Sequence, residues 1–270
     1  MNFIELQTNR NTIIRGVFIR SSNCNSKTVV VCIPGFECVA TTAPKFIRFT
    51  NELLSLPSNS IAGVVRYDPT GIGLSDGEYH RTTIDTLVDD LTTIMNYLLV
   101  NYEKFSFITH SLGICVLIEY LKLNKQKIEI NKMILLAPAL NQCKLHRYWF
   151  MQQKQPNLTW EIFKNNFQES NFVEYLNNHS SDQLKPCRAY EITYEFVRIC
   201  STKDYSFALA DYQNQILHIH ANADPVVPIE SVKDRFIHNR IFSSTDHDLE
   251  EPKILFEWTK QASKFIYETF

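Results

Sequence analysis

Short apolar runs rich in β-branched residues alternate along this chain with segments whose apolar residues recur at helical spacing. The runs are Thr28–Ile33, Gly63–Tyr67, Phe105–Thr109, Lys132–Ala137, Gln215–Ala221 and Arg240–Ser243, and the helical patterns are Thr83–Val100, Leu112–Leu123 and Pro252–Tyr267. A strand that is buried on both faces has no polar side, so it appears as a continuous apolar run. Such strands alternating with helices predict the α/β class, with a mostly parallel sheet flanked by helices.

Residues 140–212, here called the insertion, interrupt this alternation. They contain no strand-like run, their periodicity is helical, and they hold 14 of the 33 aromatic residues of the chain. We expect residues 1–139 and 213–270 to form the core and the insertion to form a helical lid over the carboxyl edge of the sheet, where open α/β sheets bind ligands. Its rings either line a substrate pocket, with Trp149 and Trp160 as candidates, or attach the lid to the body.

Charge and composition exclude several classes of function. The 27 Lys and Arg residues nearly balance the 29 Asp and Glu residues, so neither nucleic acid nor an anionic membrane is an expected partner. No apolar run approaches the length of a membrane span, and the start of the sequence lacks the pattern of a secretion signal. The seven cysteines lack CxxC spacing, which disfavours a zinc cluster or a disulfide framework. We therefore expect a cytoplasmic protein without a metal site.

A serine stands at the turn between a predicted strand and a predicted helix. The segment Phe105–Thr109 runs through His110 into Ser111, Leu112 and Gly113, where the helix begins at once. This spacing matches the nucleophile elbow G-x-S-x-G except that Thr109 replaces the first glycine. A serine that only caps the helix would give a similar pattern. We expect Ser111 to be a nucleophile and His110 beside it to be structural.

An aspartate and a histidine follow the next two core strands after the insertion. Asp224 comes just after Gln215–Ala221, and His247 follows the last strand. The chain order Ser…Asp…His, with each residue just past a strand end, is that of the α/β-hydrolases, so we predict a triad of Ser111, Asp224 and His247. Asp246 and Asp248 flank the histidine and are the alternatives for the acid. An acyl-transfer site also needs two backbone N–H groups for the oxyanion, and we assign these to Leu112 and, in the loop after the first core strand, to Phe36.

Several sequence runs together resemble one family. The runs CIPGF, RYDPTGIGLSDG, FITHSLG, MILLAPAL, HANADPVVP and TDHD resemble α/β-hydrolases of the serine-esterase type. The similarity is greatest to feruloyl and cinnamoyl esterases and to the monoacylglycerol-lipase and serine-aminopeptidase-like group, and it extends to small thioesterases. The resemblance implies an eight-stranded sheet, no cofactor, and an acyl-enzyme on Ser111. The chain departs from this family at Pro34, at Thr109 and at Asn222-Ala223.

These observations predict a serine hydrolase that cleaves a carboxylic ester with an apolar or aryl acyl group. The alternative is an acyl-thioesterase or acyltransferase whose substrate is acyl-CoA or is presented on a carrier or acylated protein, because the same triad serves both reactions. A third possibility is a catalytically silent hydrolase fold that serves as a binding protein, since Pro34 and Thr109 lie beside the predicted oxyanion hole and elbow.

Overall fold

The computed structural model describes residues 1–21, 26–56, 60–124, 128–232 and 235–267. Its strands are β1 (Asn2–Gln7), β2 (Ile13–Arg20), β3 (Thr28–Ile33), β4 (Gly63–Asp68), β5 (Lys104–His110), β6 (Glu129–Leu136), β7 (Leu184–Pro186), β8 (Glu191–Thr193), β9 (Ile216–Ala221) and β10 (His238–Phe242). Its α-helices are α1 (Pro44–Ser55), α2 (Ile84–Leu99), α3 (Gly113–Asn124), α4 (Gln142–Gln152), α5 (Trp160–Asn166), α6 (Glu169–Asn177), α7 (Tyr194–Cys200) and α8 (Pro252–Tyr267). Three short 3-10 helices cover Tyr79–Arg81, Ala210–Gln215 and Ile229–Ser231.

Eight of the strands form one sheet in the order β1-β2-β4-β3-β5-β6-β9-β10. The pairs β1–β2 and β2–β4 are antiparallel, and the remaining neighbours are parallel. This architecture confirms the predicted α/β class. The two N-terminal strands were not predicted, because their charged and polar residues break up the apolar run that marks a strand buried on both faces.

Helices cover both faces of the sheet, and each face has its own apolar core. On one face α2 and α3 contribute Leu91 and Leu117, both fully buried against the strands. On the other face α1 and α8 contribute Phe49 and Trp258, whose rings stack with centroids 6.3 Å apart. The sheet is thus shielded on both sides, which leaves its carboxyl edge as the place where loops converge.

The insertion contains four α-helices, α4 to α7, and one element that the sequence analysis did not predict. The strands β7 and β8 pair antiparallel, with Leu184 opposite Thr193. The expectation that the insertion lacks strands was therefore wrong. Each of these strands is only three residues long and carries charged side chains, so neither produces an apolar run. None of the described helices is long and apolar enough to span a bilayer.

Candidate active site

Ser111 follows β5 directly, in a backbone conformation that few side chains adopt. Its φ angle is +50°, a left-handed value that costs a non-glycine residue on the order of 1–3 kcal/mol. The turn is held on both sides, because the Ser111 N–H donates to the Leu136 carbonyl (2.9 Å) and the Ser111 carbonyl accepts from the Ala139 N–H (3.1 Å). The neighbouring strand β6 and the residues after it therefore fix the elbow in place.

Two glycines allow the elbow to form. A Cβ atom at Gly113, where α3 begins, would lie 2.6 Å from the carbonyl oxygens of Ile33 and Pro34. A Cβ atom at Gly35 would lie 3.0 Å from the Cβ of Ser111. Both distances are too short for a real side chain, so the loop after β3 and the start of α3 can approach the serine only with glycine at these positions.

Asp224 and His247 are hydrogen-bonded to each other. Nδ1 of His247 lies 2.7 Å from Oδ2 of Asp224, which is buried, while His247 is partly exposed. Both residues lie in loops that follow parallel strands, β9 and β10, so they meet at the carboxyl edge of the sheet. His247 and Ser111 line the same cavity.

The Asp224 carboxylate has a full set of donors. Oδ1 accepts the N–H groups of Val226 (2.8 Å) and Val227 (3.0 Å), and Oδ2 faces His247 and also Nε2 of His220 (3.3 Å). Burial raises the pKa of Asp224, but the hydrogen bonds from His220 and His247 outweigh it and hold the pKa below the ordinary Asp value. The carboxylate is thus ionised at the pH where a neutral histidine acts as a base.

The two alternative acids have other partners. Asp246 accepts the backbone N–H groups of Asp248 (3.0 Å), Glu250 (2.6 Å) and Glu251 (2.8 Å), which shapes the loop around the histidine. Asp248 accepts a hydrogen bond from Nζ of Lys45 at 2.8 Å. Among the described residues, neither carboxylate is hydrogen-bonded to His247. Both instead stabilise the loop that carries this histidine.

His110 and Lys45 brace the loop that carries His247. The His110 ring nitrogen Nε2 lies 3.1 Å from the His247 carbonyl oxygen and donates to it. Burial holds the pKa of His110 well below the usual histidine value, and the charges of Lys45 and His247 lower it further. Lys45 is almost fully buried and pairs with Asp248 and with Glu250 (2.9 Å). These contacts place a neutral imidazole and a buried ion-pair cluster against the loop that carries His247.

The two N–H groups that the sequence analysis assigned to the oxyanion lie beside the serine. Phe36 and Leu112 both line the cavity that Ser111 faces. Within the described part of the chain, neither backbone N–H donates to a protein acceptor. The adjacent N–H of Glu37, in contrast, donates to the Tyr79 hydroxyl (2.9 Å). Two backbone N–H groups without a protein acceptor are therefore available next to Ser111.

A cavity of about 580 Å³ opens over Ser111, and its wall is mostly aromatic and aliphatic. This volume falls within the usual range for small-molecule sites. The body supplies Phe36, Leu112 and Val226 to the wall. The insertion supplies most of the remaining lining, including the rings of Trp149, Phe150, Phe172, Tyr175 and Phe196.

The two tryptophans proposed as substrate contacts have different surroundings. Trp149 lies in the cavity wall, and its Nε1 donates to the Val226 carbonyl at 2.6 Å. Trp160 is not among the residues that line the cavity. It packs inside the insertion, with its ring 5.4 Å from that of Tyr148 and 5.1 Å from that of Phe163. Some rings of the insertion therefore line the cavity, whereas others pack within the insertion.

The insertion is hydrogen-bonded to the loops that carry the candidate site. Besides the Trp149 contact, Gln152 donates to the Pro225 carbonyl (3.1 Å), next to the acid. The turn between β7 and β8 donates two N–H groups, from Ala189 and Tyr190, to the carboxylate of Glu37 (3.0 and 3.2 Å). In the same turn Arg188 lies 3.3 Å from Asp248, next to the base. The loops that carry Asp224, His247 and Phe36 are therefore each hydrogen-bonded or ion-paired to the insertion.

Sequence reasoning missed three residues that support the site: Lys45, His220 and Glu37. For Lys45 and His220, the sequence pattern contained a signal that could have identified them. Lys45 occupies the buried stripe of α1 beside Phe46 and Phe49, and His220 lies in a strand in which every residue is buried. A titratable side chain in such a position needs a partner. Glu37 gave no such signal, because its partners are backbone groups of a distant turn.

The two departures beside the elbow, Pro34 and Thr109, lie outside the cavity lining. Thr109 is fully buried at the end of β5, and its hydroxyl has no hydrogen-bond partner among the described residues. Pro34 contributes only its carbonyl to the contact with Gly113. Neither Pro34 nor Thr109 is among the residues that line the cavity.

Comparison with known proteins identifies the family. The sequence profile of the serine aminopeptidase S33 family of hydrolases matches residues 27–250. The chain belongs to this family. It is a member of the α/β-hydrolase superfamily, which confirms the resemblance that the sequence runs indicated. No curated protein matches the chain.

Solved structures share the fold at low sequence identity. Est1E from Butyrivibrio proteoclasticus, solved with ferulic acid bound, has a TM-score of 0.67 at 14% identity, over 96% of this chain and 97% of its own. Alpha/beta hydrolase domain-containing protein 10 from mouse has a TM-score of 0.66 at 15% identity, over 98% of both chains. The esterase Pf2001 from Pyrococcus furiosus has a TM-score of 0.63 at 17% identity, over 98% of this chain and 89% of its own. These similarities show the fold.

Proposed function

We propose that this protein is a serine carboxylesterase that forms an acyl-enzyme on Ser111. The observation that carries the proposal is the pairing of His247 with the buried Asp224, beside a strained serine that faces the same cavity. An esterase with this fold in Pyrococcus furiosus and the ferulic acid complex of Est1E support the same reaction class.

The reaction proceeds in two steps. Because Nδ1 of His247 is bound to Asp224, its Nε2 is the nitrogen that removes the Ser111 hydroxyl proton as Oγ attacks the ester carbonyl. The N–H groups of Phe36 and Leu112 stabilise the oxyanion. His247 then protonates the alcohol as it departs, and the acyl group remains bound to Ser111. A water molecule that has lost a proton to His247 attacks the acyl carbonyl and regenerates the serine.

The cavity wall favours an apolar or aryl acyl group. Rings of the insertion face the space over Ser111, and aromatic side chains bury large apolar areas in contact with a ligand. The cavity wall also contains the charged side chains of Glu37, Asp248, Lys185 and Arg188. Glu37 is bound by two N–H groups, and Asp248 by Lys45 and Arg188. The proposed substrate is therefore a small-molecule ester whose acyl part is apolar.

Covalent labelling tests the nucleophile. A fluorophosphonate probe should label the wild-type protein on Ser111, as mapped by peptide mass spectrometry, and Ser111→Ala should lose both the label and about 10⁴-fold or more in kcat/KM. Ser106→Ala is the matched control, because Ser106 lies on the same strand and is fully buried. Labelling that persists in a folded Ser111→Ala protein would overturn the proposal.

A substrate panel separates esters from thioesters. Matched pairs with the same acyl group on p-nitrophenol, on an alkyl alcohol and on coenzyme A differ only in the leaving group. We expect kcat/KM to be higher for the oxygen esters. A preference for the thioester of at least tenfold across the series would assign the protein to the thioesterases instead.

A further inference from the structure

A chain of hydrogen bonds runs through two buried histidines to the catalytic carboxylate. His218 and His220 lie on the same face of β9, and both are at least 98% buried. Nδ1 of His218 lies 2.8 Å from Oδ1 of Asn239, and Nε2 of His218 lies 2.9 Å from Nδ1 of His220. Nε2 of His220 lies 2.8 Å from the Val227 carbonyl and 3.3 Å from Oδ2 of Asp224.

The orientation of Asn239 is fixed by its second contact. Its amide nitrogen donates to the Phe236 carbonyl at 2.5 Å, so its oxygen is the atom that faces His218. An amide oxygen only accepts hydrogen bonds, and a carbonyl likewise. The histidine pair therefore lies between two acceptors, Asn239 at one end and the Val227 carbonyl with the Asp224 carboxylate at the other.

This arrangement needs three protons in three gaps. One must lie between Asn239 and His218, one between the two rings, and one between His220 and the acceptors beyond it. Two neutral imidazoles carry only two N–H protons between them. A gap without a proton would bring two lone pairs to about 2.8–2.9 Å beside two buried rings, and such unpaired polar contacts are strongly unfavourable.

We propose that His220 carries both ring protons at rest and is a cationic positioning residue for the catalytic Asp224. His218 is then neutral, donates from Nδ1 to Asn239 and accepts at Nε2 from His220. Burial, and after it the charge of His220, lower the pKa of His218 to about 3, which agrees with a neutral ring at that position. The carboxylate of Asp224 lies between two histidines, one on each side of Oδ2.

The consequence is electrostatic and acts on the base. A cation beside Asp224 offsets part of the carboxylate's attraction for a second cation at His247. It therefore keeps His247 in its neutral, reactive form at lower pH. The acid limb of the kcat/KM profile should lie at lower pH than it would without the charge on His220.

Other ionisable groups near the pair do not supply this charge. Tyr148 donates its hydroxyl to the Leu158 carbonyl at 2.9 Å, and burial raises the pKa of this phenol. Arg235 lies over the ring of Phe207, 4.3 Å from its centroid. The ionisable groups on the neighbouring elements include His238 and Arg240 of β10, besides Asp224, His247, Glu230, Tyr148 and Arg235. Within the described ranges only Asp224 is bonded to the pair.

A pair of substitutions at residue 218 isolates the charge from the packing. His218→Gln keeps an acceptor for the N–H of His220, whereas His218→Leu removes it and so favours a neutral His220. We expect His218→Leu to move the acid limb of kcat/KM to higher pH by about 0.5 unit or more, and His218→Gln to leave it near the wild-type position. His80→Gln removes a partly exposed histidine from the short helix at 79–81 and is the control.

The kinetic measurement rests on the proposed esterase function, and a second measurement does not. In protein labelled with ¹⁵N-histidine, the ring nitrogens of His220 should show the signature of a doubly protonated imidazole, with three ring N–H protons for the pair. The variants at residue 218 supply the assignment, and thermal unfolding reports whether they fold. A neutral His220 in the wild-type spectrum, or an acid limb that does not move in a folded His218→Leu protein, would overturn the proposal.

Discussion

The body and the insertion hold their aromatic and polar residues in opposite arrangements. In the body, rings such as those of Phe49 and Trp258 pack in the core, and polar groups converge at the carboxyl edge. In the insertion one group of rings, such as Trp160, packs within the segment itself, while another, such as Trp149, lines the cavity. We infer that the body positions the residues proposed to react, and that the insertion determines which acyl groups fit beside them.

Several polar contacts between the two regions are made at the cavity rim. Glu37, Asp248 and the Val226 carbonyl each bind a group from the insertion. Each of these residues is next to, or two residues from, one proposed to act in catalysis. A substitution in the body should therefore affect chemistry, and a substitution in the insertion should affect either selectivity or stability. The following predictions test this distinction.

The largest effect is expected for the acid in the body. Asp224→Asn should lower kcat by about 10⁴-fold, because an amide favours the wrong tautomer of the adjacent histidine. Asp246→Asn is the matched control on the base loop and should cost less than about tenfold, since it only weakens acceptance of backbone N–H groups. Steady-state kinetics on the best ester decides between them. The reverse ranking would place the acid at Asp246.

The length of the acyl chain should have the next largest effect. Each methylene buried in the cavity contributes up to about 0.8 kcal/mol, or about fourfold in kcat/KM. Extending a p-nitrophenyl ester from two to six acyl carbons should therefore raise kcat/KM by about tens of fold or more, until the cavity is filled. An acetyl ester that is preferred over every longer or aryl acyl group would contradict the assigned role of the cavity rings.

The two tryptophans should separate selectivity from stability. Trp149→Ala should flatten the dependence on acyl length, because its ring lines the cavity. Trp160→Ala should leave that dependence unchanged and lower the free energy of unfolding by about 3–5 kcal/mol, because its ring is in the core of the insertion. The acyl series and denaturant unfolding are measured on both variants. If Trp160→Ala flattened the series while Trp149→Ala did not, the division of the rings would be wrong.

The smallest effect concerns the buried hydroxyl beside the elbow. Thr109→Val keeps the shape of the side chain and removes an oxygen that has no partner among the described residues. It should raise the free energy of unfolding by up to about 1 kcal/mol, or the Tm by about 2–4 °C. Thr50→Val is the control, since the Thr50 hydroxyl donates to the Phe46 carbonyl. A loss of stability in Thr109→Val would show that the hydroxyl is hydrogen-bonded.

Sequence patterns predicted the elements whose signal is local. The central strands, the elbow at Ser111 and the positions of Asp224 and His247 just after strand ends all follow from runs of neighbouring residues. The hairpin of β7 and β8 did not, because it is short and polar. The positions of Trp149 and Trp160 did not either, because both lie in helical patterns of similar composition and only tertiary packing separates them.

The apolar cluster of the insertion includes two residues from outside it, Ala139 and Val227. Val227, fully buried, packs with Tyr148, Trp160 and Phe163, and its own N–H binds the carboxylate of Asp224. A different insertion grafted onto this body would have to accommodate the side chain at 227 or disturb the acid. The insertion therefore cannot be exchanged independently of the body. Its replacement during evolution should be accompanied by a change at residue 227.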